Sequence, residues 1–381
     1  MNNISILVGL KNNIDYTQYF YSTTRELYPE AEICFVSYGS TDGTHEWLDK
    51  LKDPFLKYYY SEESKTFSDT FNKATQLATK EYVVYLHNDI VLAPGFLENI
   101  QKHVNKNVVV SYTTIEPPIF AGHERPGKIV KGFGDNLEVF NRDAFTEFVK
   151  TTQQKYHDQT EDGITFFMCL HRFTLLNMGG MDNLFNPMFC EDDDLILRLK
   201  IKGMKMFTSL DAICYHFVSK TSRFSEEYKN STNIVEYISN RNYVRKWNTR
   251  TSDTKYDVGF VIKNCTYNLL YLLEPWCDTL YLEEDTYSTK ESYIHAEQQN
   301  TSYNLSEKFK TFSEEYQNDI IVEFDANRFS EYSFNIIQQL ADIVKQSGSE
   351  GSFELDIFNV HVKRMKEVQN NLIICKNTSY L

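Results

Sequence analysis

The sequence predicts an α/β protein with a largely parallel sheet, followed by a second, smaller α/β domain. Through the first half of the 381 residues, short apolar β-rich runs alternate with amphipathic stretches of helix length. Parallel strands need a crossover of that length, so the alternation favours a mostly parallel sheet with helices on both faces. Such sheets bind ligands beyond the carboxyl ends of their strands. The length also favours two domains, because one domain usually takes about 100 to 200 residues.

The elements follow in order along the chain. The predicted strands are Ile4–Leu10, Ile33–Ser37, Tyr82–Leu86 and Val108–Tyr112, and the predicted helices between them are Tyr16–Leu27, Thr44–Leu51 and Phe67–Ala78. Residues 113–164 are rich in Pro, Gly and charge, and predict a variable loop region with one or two short elements. Beyond them we expect regular structure at Thr165–Leu170, a helix from Asp192 to Lys202, a strand pair at Met204–Thr208 and Ala212–His216, and a trailing helix at about 231–247.

A polar stretch at 248–253 indicates a linker between the two domains. We therefore assign residues 1–250 to the first domain and 251–381 to a C-terminal α/β domain. The second domain carries no motif with recognisable chemistry. We expect it to serve acceptor binding or self-association as a homo-oligomer.

Charge and cysteine content limit the classes of partner and compartment. A formal charge of −14 and a pI near 5.2 disfavour nucleic acid and anionic lipid as partners, so an anionic nucleotide must be held locally, for instance by a cation. The seven cysteines are scattered without a CxxC pair, which is typical of free thiols in a reducing compartment. The sequence shows no secretory signal pattern and no apolar run near the roughly 20 residues of a spanning helix, so we expect a cytoplasmic protein without a transmembrane segment.

The first candidate site is the turn Ser37-Tyr38-Gly39-Ser40-Thr41-Asp42-Gly43-Thr44, between a predicted strand and a predicted helix. Its small residues let the backbone approach a ligand closely, and the helix start points N–H groups at it. The structural alternative is a tight turn with a helix cap.

The second candidate is His87-Asn88-Asp89, again at the end of a predicted strand. A carboxylate there can hold a divalent cation, which binds the two phosphates of a nucleotide. The alternative is that Asp89 is only a cap or turn residue.

Two further candidates follow in the second half of the domain. Glu191-Asp192-Asp193-Asp194 precedes an apolar helix, and one of these carboxylates could take a proton from a hydroxyl. Acids also favour a helix N-terminus electrostatically, and we expect that end to keep Asp192 ionised. His216 ends a predicted strand, as a metal ligand or as a buried, hydrogen-bonded histidine.

These clusters lie in one order along one predicted sheet, and in that order the sequence resembles the family 2 inverting glycosyltransferases of GT-A fold. The resemblance covers about residues 3–248, and its most specific part is the block from 178 to 216. It rests on Ile4-Ser5-Ile6-Leu7-Val8 with Asn12, the Gly39–Thr44 turn, Asn72, His87-Asn88-Asp89 as a DxD-type motif with its first Asp replaced, Met178-Gly179-Gly180-Met181-Asp182, Phe185, Glu191–Asp194, Arg198, His216, and Asn242-Tyr243 with Lys246-Trp247.

The resemblance implies roles for named residues. Asp89 and His216 would bind Mn²⁺ or Mg²⁺, Asp192 would be the catalytic base, and Glu191 would be the fallback base. The donor-binding residues would be Lys11, Asn12, Ser37, Tyr38, Gly39, Asp42, Asn72 and Asn88. The family's usual acidic pair before the Gly-Ser turn helps to bind the nucleobase of the donor. That pair is here Ser37-Tyr38, which leaves the identity of the nucleobase open.

The implied function is metal-dependent transfer, with inversion, of a sugar of the hexosyl or deoxyhexosyl class. The donor would be a UDP-, GDP- or dTDP-linked sugar and the acceptor a glycan or glycoconjugate hydroxyl, in glycan or surface polysaccharide biosynthesis. One alternative is a sugar nucleotidyltransferase, although Gly9-Leu10-Lys11-Asn12-Asn13 supplies only one glycine for its phosphate loop. Another is a degenerate carbohydrate- or nucleotide-binding module without catalysis. Loss of Asp89 or Asp192 would favour this alternative, and both residues are present.

Overall fold

The structure is a computed structural model that describes residues 3–218 and 230–375. The chain divides into two compact units, the first formed by Met1–Asn233 with Ile374–Leu381 and the second by Ile234–Ile373. The sequence places the domain boundary at residue 250, whereas this division places it at the start of the trailing helix. Residues 376–381 of the expected second domain lie outside the described residues.

The first unit contains the predicted alternation of strands and helices. Its strands are β1 (Ile4–Leu10), β2 (Glu32–Tyr38), β3 (Leu56–Ser61), β4 (Tyr82–His87), β5 (Ile90–Leu92), β6 (Val108–Glu116), β7 (Lys128–Val130), β8 (Thr160–Asp162), β9 (Met168–His171) and β10 (Lys205–His216). Its helices are α1 (Ile14–Leu27), α2 (Thr44–Lys50), α3 (Phe67–Leu77), α4 (Phe96–His103), α5 (Pro118–Ala121), α6 (Arg142–Lys155), α7 (Arg172–Asn177) and α8 (Glu191–Ile201).

Within the described residues, these ten strands form one mainly parallel sheet in the order β3-β2-β1-β4-β9-β6-β10-β5, with β7 beside β6 and β8 beside β10. The neighbours β3, β2, β1 and β4 are parallel, as are β6 and β10. The strand β9 runs antiparallel between β4 and β6. The mixed α/β fold class that the sequence predicts, with a second sheet in the C-terminal unit, is confirmed.

Helices cover both faces of the sheet at β1. On one face, Ile4, Ile6 and Val8 share a buried core with Phe20 of α1. On the other face Gly9 lies so close to α3 that an added Cβ would be 2.9 Å from the Thr70 side chain. The near-continuous apolar run of β1 follows from this double burial.

Three elements differ from the expectation. The strand β3 was not predicted, because it lies at the sheet edge and leaves side chains such as Tyr58 and Tyr59 exposed instead of forming an apolar run. The stretch 113–164 holds the 14-residue helix α6, and is therefore more regular than the predicted loop region. The expected strand pair at 204–216 is one strand, β10, with a register shift between Ser209 and Ile213.

The second unit has its own sheet and core. Its strands are β11 (Val258–Lys263), β12 (Thr279–Leu282), β13 (Phe309–Thr311), β14 (Ile320–Asp325), β15 (Gly351–Leu355) and β16 (Phe358–Val362), in the order β13-β12-β11-β14-β16-β15. Its helices are α9 (Thr232–Trp247, beginning two residues before the boundary), α10 (Tyr267–Leu273), α11 (Tyr287–Glu297), α12 (Leu305–Lys308), α13 (Glu331–Gln338) and α14 (Leu340–Ser347). The strands from β11 to β14 are parallel, and β16 and β15 close the sheet as an antiparallel hairpin.

A buried charge network joins α9 to the core of the second unit. Glu274 is fully buried, and its carboxylate contacts Arg245 of α9 at 2.9 Å and Lys308 at 2.7 Å. Tyr293 also donates a hydrogen bond to it, at 2.8 Å. Burial alone would raise the pKa of Glu274, but Lys308 and Arg245 lower it to about 2. The carboxylate is therefore ionised and fully paired inside the protein.

We expect Glu274→Gln to lower the free energy of unfolding of the second unit by about 3–5 kcal/mol, because it leaves buried cations without their counter-charge. Urea denaturation followed by far-UV circular dichroism measures the change. Glu291→Gln, at an exposed position of α11, is the matched control and should have little effect. Equal stability of the two variants would show that the network does not hold α9 in place.

Candidate functional site

The carboxyl ends of several strands meet at one edge of the first sheet. The strands β4 and β6 are both antiparallel to β9, and β10 is parallel to β6, so all three end on the same side. Their last residues are His87, Glu116 and His216. Because β1 and β2 are parallel to β4, the loops that follow them also open at this edge.

His87, Asp89 and His216 come together at this edge as a group of possible metal ligands. One ligand atom from each lies within 4.8 Å of the others. Asp89 Oδ1 lies 3.4 Å from His216 Nε2 and 4.0 Å from His87 Nδ1. Asp89 and His216 are buried, at 2% and 7% exposure. The structure thus brings the two predicted metal ligands together and adds His87.

The second nitrogen of His216 is held by a carboxylate that the sequence analysis missed. His216 Nδ1 lies 3.2 Å from Glu116 Oε1, and the other oxygen of Glu116 lies 2.9 Å from Lys128 Nζ. Burial alone would lower the pKa of His216, but the carboxylates of Asp89 and Glu116 raise it to about 9. A carboxylate on the outer nitrogen is the usual partner of a metal-binding histidine, since it fixes the orientation of the ring.

The chemistry of the group suits a divalent cation. His87 Nε2 is buried and has no hydrogen-bond partner among the described residues. Burial lowers the pKa of His87 to about 4, so that its imidazole is neutral at physiological pH and has a lone pair to offer. Two imidazoles and one carboxylate form a common donor set for such ions. The group therefore fits the divalent cation that the sequence predicts.

The acidic run lies at the start of α8, as predicted. Glu191 is buried, Asp192 is partly buried and Asp193 is exposed. Burial raises the pKa of Asp192, and the charge of Asp193 raises it further. The pKa thus moves opposite to the direction expected from the helix N-terminus, because loss of hydration outweighs the helix dipole. Burial also raises the pKa of Glu191 well above its usual value.

Asp194, the fourth acid, has a structural role. Its carboxylate forms a fully buried ion pair with Arg198 at 2.7 Å. The same guanidinium donates hydrogen bonds to the carbonyl oxygens of Met178 and Gly180, at 3.1 Å and 2.7 Å. This contact fixes the Gly-Gly turn against α8 and accounts for the Arg in the resemblance.

Hydrogen bonds connect the segment before α8 to α3. Helix α3 also packs against the metal-ligand group through Phe67. The Asn72 side chain accepts a hydrogen bond from Met181 N–H and donates one to Met181 O, at 2.8 Å and 2.9 Å. Phe67 N–H donates to Pro187 O at 3.3 Å, while the Phe67 ring lies 6.3 Å from the His87 ring. The donor role predicted for Asn72 stays a prediction, since these two bonds already account for a buried amide at this position.

The loops after β1 and β2 are fastened to each other through predicted donor-binding residues. Asn12 N–H donates to Ser40 Oγ at 2.9 Å, and Asn12 Oδ1 accepts from Thr41 N–H at 2.8 Å. Asp42 accepts hydrogen bonds from the N–H groups of Ile14 and Thr44, at 2.8 Å and 3.2 Å, and so binds the first residue of both α1 and α2. Both residues therefore shape the loops, whether or not they also touch a donor.

Lys11 crosses between the same loops. Its Nζ donates to the carbonyl oxygens of Tyr38 and Gly39, at 3.2 Å and 3.1 Å, and to Ser64 Oγ at 2.8 Å. Tyr38 is mostly buried, with its ring packed against Tyr59. The predicted charge of Lys11 thus lies at the end of β2, beside the Gly-Ser turn.

Two other predicted donor residues are buried. Asn88 donates to Thr17 Oγ1 of α1 at 3.0 Å and is 2% exposed. Ser37 is fully buried, and its hydroxyl contacts Ser40 Oγ at 2.8 Å and His45 Nε2 at 2.9 Å. His45 Nδ1 in turn contacts Glu62 at 3.0 Å. The distances resemble those of a serine nucleophile set, but full burial of the Ser37 hydroxyl does not suit a nucleophile. The donor-binding role predicted for Ser37 stays a prediction.

One segment of the first unit matches a known family. Residues 5–176 match the sequence model of the family described as Glycosyl transferase family 2. This segment is thus similar to the glycosyltransferases of that family. The matched range includes the loops after β1 and β2, His87, Asp89 and Glu116, and it ends before Asp192 and His216.

No curated protein matches this chain. Among solved structures, similar chains include the mannosyltransferase PcManGT from Pyrobaculum calidifontis in complex with GDP-Man and Mn²⁺, at 16% identity, with 62% of this chain and 63% of that chain covered and a TM-score of 0.40. GalNAc-T7 with UDP, GalNAc and Mn²⁺ is similar at 12% identity, with 56% and 43% covered and a TM-score of 0.42. S. aureus TarS 1–349 is similar at 13% identity, with 64% and 79% covered and a TM-score of 0.41. The chain thus spans less than two thirds of the first two structures.

Among the residues that the structure describes, no helix combines the length and the apolar composition needed to cross a bilayer.

We expect Asn72→Ala to destabilise the first unit by about 2 kcal/mol or more, because it removes both hydrogen bonds that the Asn72 amide makes to the buried backbone of Met181. Thermal and urea unfolding measure the loss. Asn371→Ala, at an exposed position of the second unit, is the control. Unchanged stability together with weakened nucleotide binding would instead identify Asn72 as a donor-binding residue.

Proposed function

We propose that the first unit transfers a sugar from a nucleoside-diphosphate sugar to an acceptor hydroxyl, with inversion at the anomeric carbon. The observation that carries the proposal is the group of His87, Asp89 and His216 at the strand edge of the unit that contains the family 2 match. A protein of net charge −14 needs such a group to hold a diphosphate. The sugar transferred would be of the hexosyl or deoxyhexosyl class, in glycan or surface polysaccharide biosynthesis.

Asp89 and His216 would hold the cation, Mn²⁺ or Mg²⁺. When bound, the cation neutralises the negative charge that develops on the departing diphosphate. Glu116 keeps the His216 ring oriented, with one nitrogen towards Asp89. These residues thus act on the leaving-group side of the reaction.

Asp192 would accept the proton of the attacking hydroxyl. Its raised pKa makes its carboxylate a stronger base than an exposed aspartate, which helps proton transfer as long as the group stays ionised. Burial raises the pKa of the fallback base, Glu191, well above its usual value, which favours its protonated form over the carboxylate that a base needs. Attack of the hydroxyl in a single displacement gives inversion.

The donor would be UDP-, GDP- or dTDP-linked and would bind at the loops after β1 and β2. Because Asp42 and Asn12 hold these loops together, we propose that they position the donor site mainly by fixing its backbone. The other candidate residues for binding the donor are still Lys11, Ser37, Tyr38, Gly39, Asn72 and Asn88.

For the second unit we propose acceptor binding or self-association as a homo-oligomer. It has a separate sheet and core. We further propose a cytoplasmic location, which the seven free and buried cysteines of the described residues support.

We expect Asp192→Asn to lower the turnover number by about 10²- to 10⁴-fold and to leave nucleotide affinity nearly unchanged, because it removes only the proton acceptor. The assay follows release of nucleoside diphosphate from a panel of UDP-, GDP- and dTDP-sugars offered with glycan acceptors. Asp193→Asn is the matched control at the exposed neighbouring position.

Near-wild-type turnover of Asp192→Asn would show that Asp192 is not the proton acceptor and would leave it a structural residue in the first turn of α8. Nucleotide-sugar binding by the wild-type protein without any turnover would instead favour a binding module without catalysis.

A further inference from the structure

The first position of the metal motif carries a histidine instead of an aspartate. His87 is the last residue of β4, and Asp89 follows two residues later. The possible ligand set at the sheet edge therefore holds two imidazoles and one carboxylate. This composition has consequences for which cation the site prefers.

Aromatic side chains pack against the ring of His87, whose side chain is 31% exposed. Phe166 and Phe167 lie 5.3 Å and 5.1 Å from it between ring centroids, and Phe67 lies 6.3 Å away. This apolar shell provides no hydrogen-bond partner for Nε2, which is buried and unsatisfied among the described residues. Burying an unpaired polar atom costs free energy, so a ligand that accepts its lone pair would offset the cost.

Phe167 also links the two imidazoles. Its ring lies 5.1 Å from the His216 ring as well, and the two histidine rings are 5.5 Å apart. Glu116 fixes His216 from the far side, through Nδ1 at 3.2 Å. Phe167 thus packs against both histidine rings, and Glu116 also holds His216 through a hydrogen bond.

The donor atoms decide which ions suit such a site. Mg²⁺ prefers oxygen ligands and loses its water reluctantly. Imidazole nitrogen is a better ligand for first-row transition metals, and affinity at a fixed site rises from Mn²⁺ through Co²⁺ to Ni²⁺. A site with two imidazoles should therefore discriminate against Mg²⁺ more than a site with two carboxylates.

We propose that His87 is a direct ligand and that it makes this site selective for a transition-metal ion over Mg²⁺. The inference rests on the proposed cation-dependent function of the same edge. It goes beyond that function because it assigns a third ligand and a metal preference.

The test is calorimetric titration of the full-length protein with Mg²⁺, Mn²⁺ and Co²⁺, each without nucleotide. Wild-type protein should bind Co²⁺ and Mn²⁺ more tightly than Mg²⁺. His87→Asp should lose at least about tenfold in Co²⁺ affinity, since even partners of ligands contribute about 10- to 100-fold, and should bind Mg²⁺ as well as or better than wild type. His123→Asp makes the same change at an exposed loop position and should behave as wild type.

Pulsed electron paramagnetic resonance of Mn²⁺ bound to the wild-type protein gives a readout that needs no folded variant. Modulation from two coordinated imidazole nitrogens supports the inference, and modulation from one overturns it. Equal Co²⁺-to-Mg²⁺ preference in wild type and a folded His87→Asp variant also overturns it. If instead the metal preference holds but no nucleotide sugar is bound or turned over, the inference stands and the proposed function fails.

Discussion

The pairing of β10 with β6, and of both with β9 and β4, is the constraint on which the site depends. It brings residues a hundred or more positions apart to one edge, so that His216 meets Asp89 and Glu116. Slipping a strand by one residue would turn each of these side chains to the opposite face of the sheet. The apolar core that fixes the register is therefore also what sets the geometry of the site. Substitutions in that core should therefore change the geometry of the site even though the core residues do not contact it.

Polar residues at the edge divide into those that build the scaffold and those left for chemistry. Asp42 accepts hydrogen bonds from the first residues of two helices, Asn72 bonds the Met181 backbone, and Asp194 pairs with Arg198. In contrast, His87 Nε2 and one oxygen of Glu191 are buried without a hydrogen-bond partner among the described residues. Such atoms are costly in a folded protein and mark where a ligand is expected. A family resemblance groups both kinds of residue together, and only the contacts separate them.

Much of the fold could be predicted because buried strands leave a clear signal. The apolar run of β1 gave its bounds, and the acidic run gave the start of α8. The edge strand β3 could not be found in this way, since its tyrosines are partly exposed. Glu116 was missed for another reason: its partner His216 is a hundred residues away, and no spacing rule links them. In the sequence, His87 only occupies the place of an aspartate. That its imidazole lies near the Asp89 carboxylate is visible only in the structure.

The most direct measurement of the central claim is calorimetric titration of the wild-type protein with UDP, GDP and dTDP, with a divalent cation and again in EDTA. If the strand edge holds the diphosphate through a cation, at least one nucleotide binds in the presence of Mn²⁺ and the binding is lost in EDTA. Undiminished affinity in EDTA would contradict the claim, because the acidic protein would then hold the diphosphate without the cation.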